Sequence, residues 1–200
     1  MTRNRQFYLY WLLVNPIGFT LGSLHGATDE GFIPTAIPGA IGLILGDLVF
    51  GAMIGLAQWI VFRLVALLPA SIWWTFTTSI GFMLGARIGA ALTFRITDNW
   101  WLAGIVFGIF MGGSIGLATA VIMPKPISLK RTIQWVIISI LAWVAGESIA
   151  FASFFSQKTV PIVAGAIAAV TGLGLINLYP THKMETSFPS RAPSMQQDQP

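Results

Sequence analysis

The sequence predicts an all-α membrane protein of six transmembrane helices, built as three tandem parallel hairpin repeats with both termini cytoplasmic. Three observations predict it. Of the 200 residues, 55% are hydrophobic and only 9% charged, where a soluble domain carries about 25% charged residues. Several apolar runs approach the ~20 residues that a helix needs to cross a bilayer. And one pattern occurs three times. Trp11, Asn15, Gly18, Phe19, Gly22 and Gly26 share their spacing with Trp74, Thr78, Gly81, Phe82, Gly85 and Gly89. Trp135, Ser139, Ala142, Trp143, Gly146 and Ala150 give it again.

The elements follow in order. Helix one is expected over about 7–25, with Pro16 inside it, where the ring removes a hydrogen bond and favours a kink. The first residues look like a signal peptide, but Trp11 to Gly26 is a repeat copy, so the segment is expected to stay in the protein. Residues 26–38, with Gly, Pro, Asp29 and Glu30, read as an acidic loop. Helix two follows over about 38–63, with Asp47 inside and Gln58, Trp59 and Arg63 near its end. Leu68, Pro69 and Ala70 turn the chain into helix three, about 71–93, which contains Arg87.

Helix four spans about 100–123, with Gly104, Gly108, Gly112 and Gly116 on one face, and ends at Pro124 and Pro126. A basic connection with Lys125, Lys130 and Arg131 leads to helix five, about 133–155, which contains Glu147. Pro161 suits the first turn of helix six, which ends near Tyr179. The repeats thus cover about 7–65, 70–124 and 132–180. Residues 181–200, rich in Ser, Pro and Gln, are expected to form a disordered cytoplasmic tail.

Orientation comes from the basic residues. Arg3, Arg5, Arg63, Lys125, Lys130, Arg131, Lys183 and Arg191 fall on one side, and Arg95 and Lys158 on the other. The first side is assigned as cytoplasmic. This bias explains the net charge of +4 without nucleic acid, for which no motif is present. The chain has no cysteine, which removes disulfides and thiolate chemistry.

Small residues have a physical task in such a protein. Lipid supplies little hydrophobic drive between helices, so close backbone approach holds them together. Gly18, Gly22, Gly81, Gly85 and Gly146 are the expected packing positions on the odd helices. Gly51 and Gly55 echo Gly112 and Gly116, and then Ala168 and Gly172, on the even ones. The tryptophan heading each copy is expected at the lipid interface as an anchor.

Ionisable groups inside a membrane are costly and invite a functional reading. At about 1.5 Å per residue, Asp47, Arg87 and Glu147 fall at one level in the outer half, with His25 slightly above. Arg87 can hold two carboxylates in its planar fork, so an ionic cluster is expected. It serves either to fix helix partners or to line a polar site. Arg63 is expected to snorkel to headgroups, and Gln58 to bond across helices. His25 alone, without a partner at ligand spacing, is weak ground for a haem or chlorophyll site, and no cofactor or metal is expected.

With Gly51, Gly55, Gln58, Trp59 and Arg63 spaced as GxxxGxxQW, a short apolar run and Arg, the chain resembles a group of bacterial, often cyanobacterial, polytopic membrane proteins. The resemblance is clearest over residues 51–89. It implies a class and no activity. In size and helix number the chain is also similar to six-helix small-molecule carriers such as the substrate-binding subunits of vitamin importers, an analogy of architecture alone.

No HExxH, GxSxG or phosphate-loop motif is present, so the chain is expected not to be an enzyme. The first expectation is a structural or accessory membrane protein that packs through glycine, in a cytoplasmic or thylakoid membrane. Its partners would be lipid and further membrane subunits or copies of itself. The alternative is a small-solute binder or transporter using the Asp47, Arg87 and Glu147 level.

Overall fold

In a computed structural model that describes residues 2–26, 31–65, 71–123, 128–154 and 156–179, the chain is all helix. The long helices are α1 (Arg3–His25), α3 (Ala40–Val65), α4 (Trp73–Ile96), α5 (Trp100–Ala120), α6 (Leu129–Ala152) and α7 (Val160–Leu178). All six are long and apolar enough to cross a membrane. Their boundaries have local causes. Asn99 caps α5 by accepting from the backbone N–H of Trp101 and Leu102, and the Ser128 side chain accepts from Arg131. Pro161 occupies the first turn of α7, where no donor is needed. Helix α1 runs on through Pro16.

One stretch differs from expectation. Within the region read as a loop, Phe32–Ala36 form a short helix, α2. Its Pro34 is buried against Gly46 of α3, and a side chain at Gly42 would strike the carbonyl that ends α2. The two glycines let the short helix lie on the longer one. The acidic pair Asp29 and Glu30, Leu68 to Ala70, the Pro124 to Pro126 turn with Lys125, and the tail beyond Tyr179 lie outside the described residues.

Each long helix packs on the long helix before and after it in sequence, and α7 returns to pack on α1. Six antiparallel neighbours therefore close a ring. Glycines sit at the crossings. Down the seam between α5 and α6, Gly104, Gly108 and Gly112 lie against the backbones of Ser148, Val144 and Ile140, and Gly116 against Val136 and Ser139. Gly81 and Gly85 meet Ile115 and Met111 of α5, and Gly51 and Gly55 meet Ser79 and Thr75 of α4. Gly18 abuts Ala57, Gly22 abuts Phe50, and Gly146 abuts Ile167. Most of these sites leave less than 3 Å for a β-carbon, so a larger residue would push two backbones apart.

The surface is apolar, and the polar side chains Asn15, Asp47, Gln58, Thr78, Ser139, Glu147 and Thr171 are buried inside. Leu13, Ile17, Leu21 and Leu24 line the outward stripe of α1, and Phe76, Ile80, Leu84 and Ile88 that of α4. A water-facing protein rarely exposes so continuous an apolar surface, and a bilayer requires it. Together with the six long helices this makes the chain a multi-pass membrane protein.

The three repeat-heading tryptophans correct an expectation. Trp11, Trp74 and Trp135 are at most 2% exposed and face the bundle interior, so they are no interfacial anchors. Each indole N–H finds an acceptor on the neighbouring helix: Trp74 donates to Gln58 Oε1 at 2.8 Å, Trp135 to Thr119 Oγ1 at 2.9 Å, and Trp11 to Thr171 Oγ1 at 3.0 Å. A buried indole N–H needs such a partner, and Gln58, Thr119 and Thr171 supply it only on the inner face. Trp73, Trp100 and Trp101 are the exposed tryptophans.

Candidate functional site

The bundle has two unlike ends. At the end where α1 begins and α7 ends, Phe7, Trp11, Phe62, Trp74, Met123 and Trp135 belong to one buried cluster that fills the interior. Phe62 packs edge-on against Trp74 at 4.9 Å between ring centroids, and Phe7, Trp11 and Phe62 are in mutual ring contact. Arg3 of α1 donates to the Val65 carbonyl at 3.0 Å and ties α1 to the end of α3.

Above this plug lies the polar layer of indole bonds. Gln58 is its hub. Its amide also donates to Asn15 Oδ1 at 2.9 Å, while Asn15 donates to the Trp11 carbonyl at 2.8 Å. Helices α1, α3 and α4 are thus joined through one side chain, as expected of Gln58. Its neighbours in the motif do less: Trp59 is half-buried, and exposed Arg63 reaches back to it, with the guanidinium 6.0 Å from the ring centroid. Gln58→Leu would leave the Trp74 N–H and the Asn15 oxygen without partners. It is expected to cost about 1–3 kcal/mol, read as a lowered unfolding midpoint in detergent; an unchanged midpoint would remove Gln58 from its place as hub.

Toward the opposite end the ring opens around a cavity of about 350 Å³. Its floor is aromatic, from Phe19, Phe50, Phe82 and Trp143, which contact one another in sequence through their rings. Its upper wall is also aromatic. Trp100 and Phe107 each lie within 6 Å of Phe151, ring to ring, and Phe94 joins the group. Among the polar groups lining it are Asp47, Arg87 and Glu147.

These are the three intramembrane charges singled out from sequence, and the structure brings them to one cavity but does not bond all three. Arg87 Nε lies 2.6 Å from Asp47 Oδ2, the one ion pair among the described residues. Asp47 is 1% exposed and Arg87 33%, and both line the cavity. Glu147, 7% exposed, makes no ion pair or hydrogen bond with any of the described residues. The expected fork holding both acids is replaced by a single pair between adjacent helices and a separate carboxyl. Asp47 and Arg87 sit on α3 and α4, which pack directly, whereas Glu147 sits on α6, which is no ring neighbour of α4.

His25 is not part of this cavity. Its Nδ1 lies 2.7 Å from the Leu21 carbonyl of its own helix. Sequence reasoning also missed the upper aromatic wall. Phe94, Trp100 and Phe151 come from three helices, and their meeting has no local signal beyond their positions near helix ends. Thr171 was missed as an indole acceptor for the same reason, since its partner Trp11 lies at the far end of the sequence.

No family model, curated protein or solved structure matches this chain.

Proposed function

We propose that this protein is a non-enzymatic membrane protein that holds a small molecule in the cavity at the end opposite the start of α1. The observation that carries the reading is the cavity itself. A volume of about 350 Å³, mostly apolar walls with many aromatic rings, and a few convergent polar groups are what small-molecule sites have in common. A bundle built only to hold its own helices together would fill this level as it fills the opposite end. The accessory role, with assembly through glycine faces, has less support. The glycines it relies on meet helices of the same chain and so are not offered to another subunit.

The architecture belongs to the same proposal. Three hairpins (α1 with α3, α4 with α5, α6 with α7) surround a pseudo-threefold axis, with both termini cytoplasmic. The three indole bonds support this, because Gln58, Thr119 and Thr171 then hold equivalent places. So do the residues facing the axis: Ile54, Ile115 and Ile167 each lie four positions before the acceptor. This register pairs Ala168 with Gly55 and Gly116, one turn away from the pairing with Gly51 and Gly112 that spacing suggests. On this orientation the cavity faces outward, and the plug with its bonded layer separates it from the cytoplasm. The resemblance to bacterial proteins sharing the GxxxGxxQW spacing fits this class of object and adds no ligand.

Native mass spectrometry of the protein taken from its membrane in mild detergent tests the binding role. A co-purifying small molecule is expected on the wild type and absent from Ala150→Trp, which fills the cavity from its wall; Ala86→Trp serves as a second filler. If wild type and both fillers carry the same adducts, or none, the binding role is wrong.

A further inference from the structure

Resting on the reading of the cavity as a small-molecule site, we propose that its occupant is an organic cation with an aromatic or alkyl body, recognised by Glu147. The first ground is charge. The cavity wall carries two carboxyl groups and one guanidinium, and the guanidinium is already taken by Asp47 at 2.6 Å. What remains is one carboxyl, more than nine-tenths buried, lining the cavity and without a partner among the described residues. A buried charge is costly unless a counter-charge meets it, and none of the described residues supplies one.

The second ground is the surroundings of that carboxyl. Trp143, Glu147 and Phe151 follow one another at four-residue spacing, so they lie on one face of α6. Trp143 belongs to the aromatic floor, through contacts with Phe19 and Phe82. Phe151 belongs to the upper wall, through Trp100 and Phe107. The carboxyl therefore stands between two groups of rings. The faces of aromatic rings attract cations, and quaternary ammonium groups are held in such cages. An anion would have to displace Asp47 from Arg87 and sit beside Glu147. A neutral apolar molecule would leave Glu147 as it is, unpaired.

Saturation-transfer NMR on the purified full-length protein in detergent tests this with three probes: benzyltrimethylammonium, its uncharged isostere neopentylbenzene, and phenylacetate. Only signal that Ala150→Trp or Ala86→Trp abolishes is counted as cavity binding. The cation is expected to bind about tenfold or more tightly than the isostere. In Glu147→Gln that preference should vanish while neopentylbenzene binding is kept, which also shows that the variant is folded. Isostere or phenylacetate binding as tightly as the cation, or cation binding indifferent to Glu147→Gln, would overturn the cation assignment and leave the binding cavity standing. Failure of all three probes to give cavity-dependent signal would overturn both.

Discussion

Gly112→Leu is expected to yield no folded, monodisperse protein, whereas Gly113→Leu, one residue away, should behave as wild type. A β-carbon at Gly112 would lie 2.5 Å from both the Ile140 Cα and the Ser139 carbonyl oxygen. Those are backbone atoms in the middle of α6 and have no rotamer by which to withdraw. Overpacking against side chains costs about 1–3 kcal/mol; here the helices themselves must separate, and the loss should exceed that range. A β-carbon at Gly113 meets nothing within 4 Å, so its effect should stay within about 0.5 kcal/mol. Gly85→Leu should fail as Gly112→Leu does, because the Met111 Cα lies 2.8 Å from its β-carbon position. Size-exclusion profiles and unfolding midpoints after detergent extraction read the comparison. Equal behaviour at positions 112 and 113 would mean that close backbone approach does not hold this ring together.

Arg87→Ala is expected to be the most damaging single change among the charges. It leaves Asp47, 1% exposed, as an uncompensated carboxylate inside the bundle. Breaking one side of a buried pair costs about 3–5 kcal/mol, and because Arg87 is one-third exposed the lower end is expected. Replacing both partners by apolar residues, Asp47→Leu with Arg87→Met, should recover most of that loss, since no orphaned charge remains. The two midpoints, measured side by side in detergent, decide it. A double variant as unstable as Arg87→Ala would show that the pair's worth lies in something other than mutual neutralisation.

These two expectations differ in how much of each was legible beforehand. The glycine faces could be read from spacing, because a helix brings every fourth residue to one side and the four glycines of α5 fall at that interval. Their partners could not, because nothing in a sequence says that α6 rather than α3 lies opposite. The common level of Asp47, Arg87 and Glu147 was likewise readable, since helical rise converts position into height along the bundle, and all three line one cavity. Which acid the arginine takes depends on ring order, and adjacency of α3 and α4 gives it to Asp47. The tryptophans show the limit of a general rule. An indole near a helix start is usually interfacial, yet Trp11, Trp74 and Trp135 turn inward because each has an acceptor across the seam.

The sequence by itself determined a lipid-compatible surface, six helices long and apolar enough to cross a membrane, the small-residue faces and the shared level of the charges along the bundle. All of these are local quantities, set by side-chain chemistry and helical period. Only the tertiary structure decided that the six helices close into a ring, that one end is plugged with aromatic side chains while the other opens on a cavity, and that Glu147 lines that cavity without a partner among the described residues. Those features depend on which faces meet. In a membrane that choice is made by backbone fit between helices far apart in the chain, for which no local pattern exists.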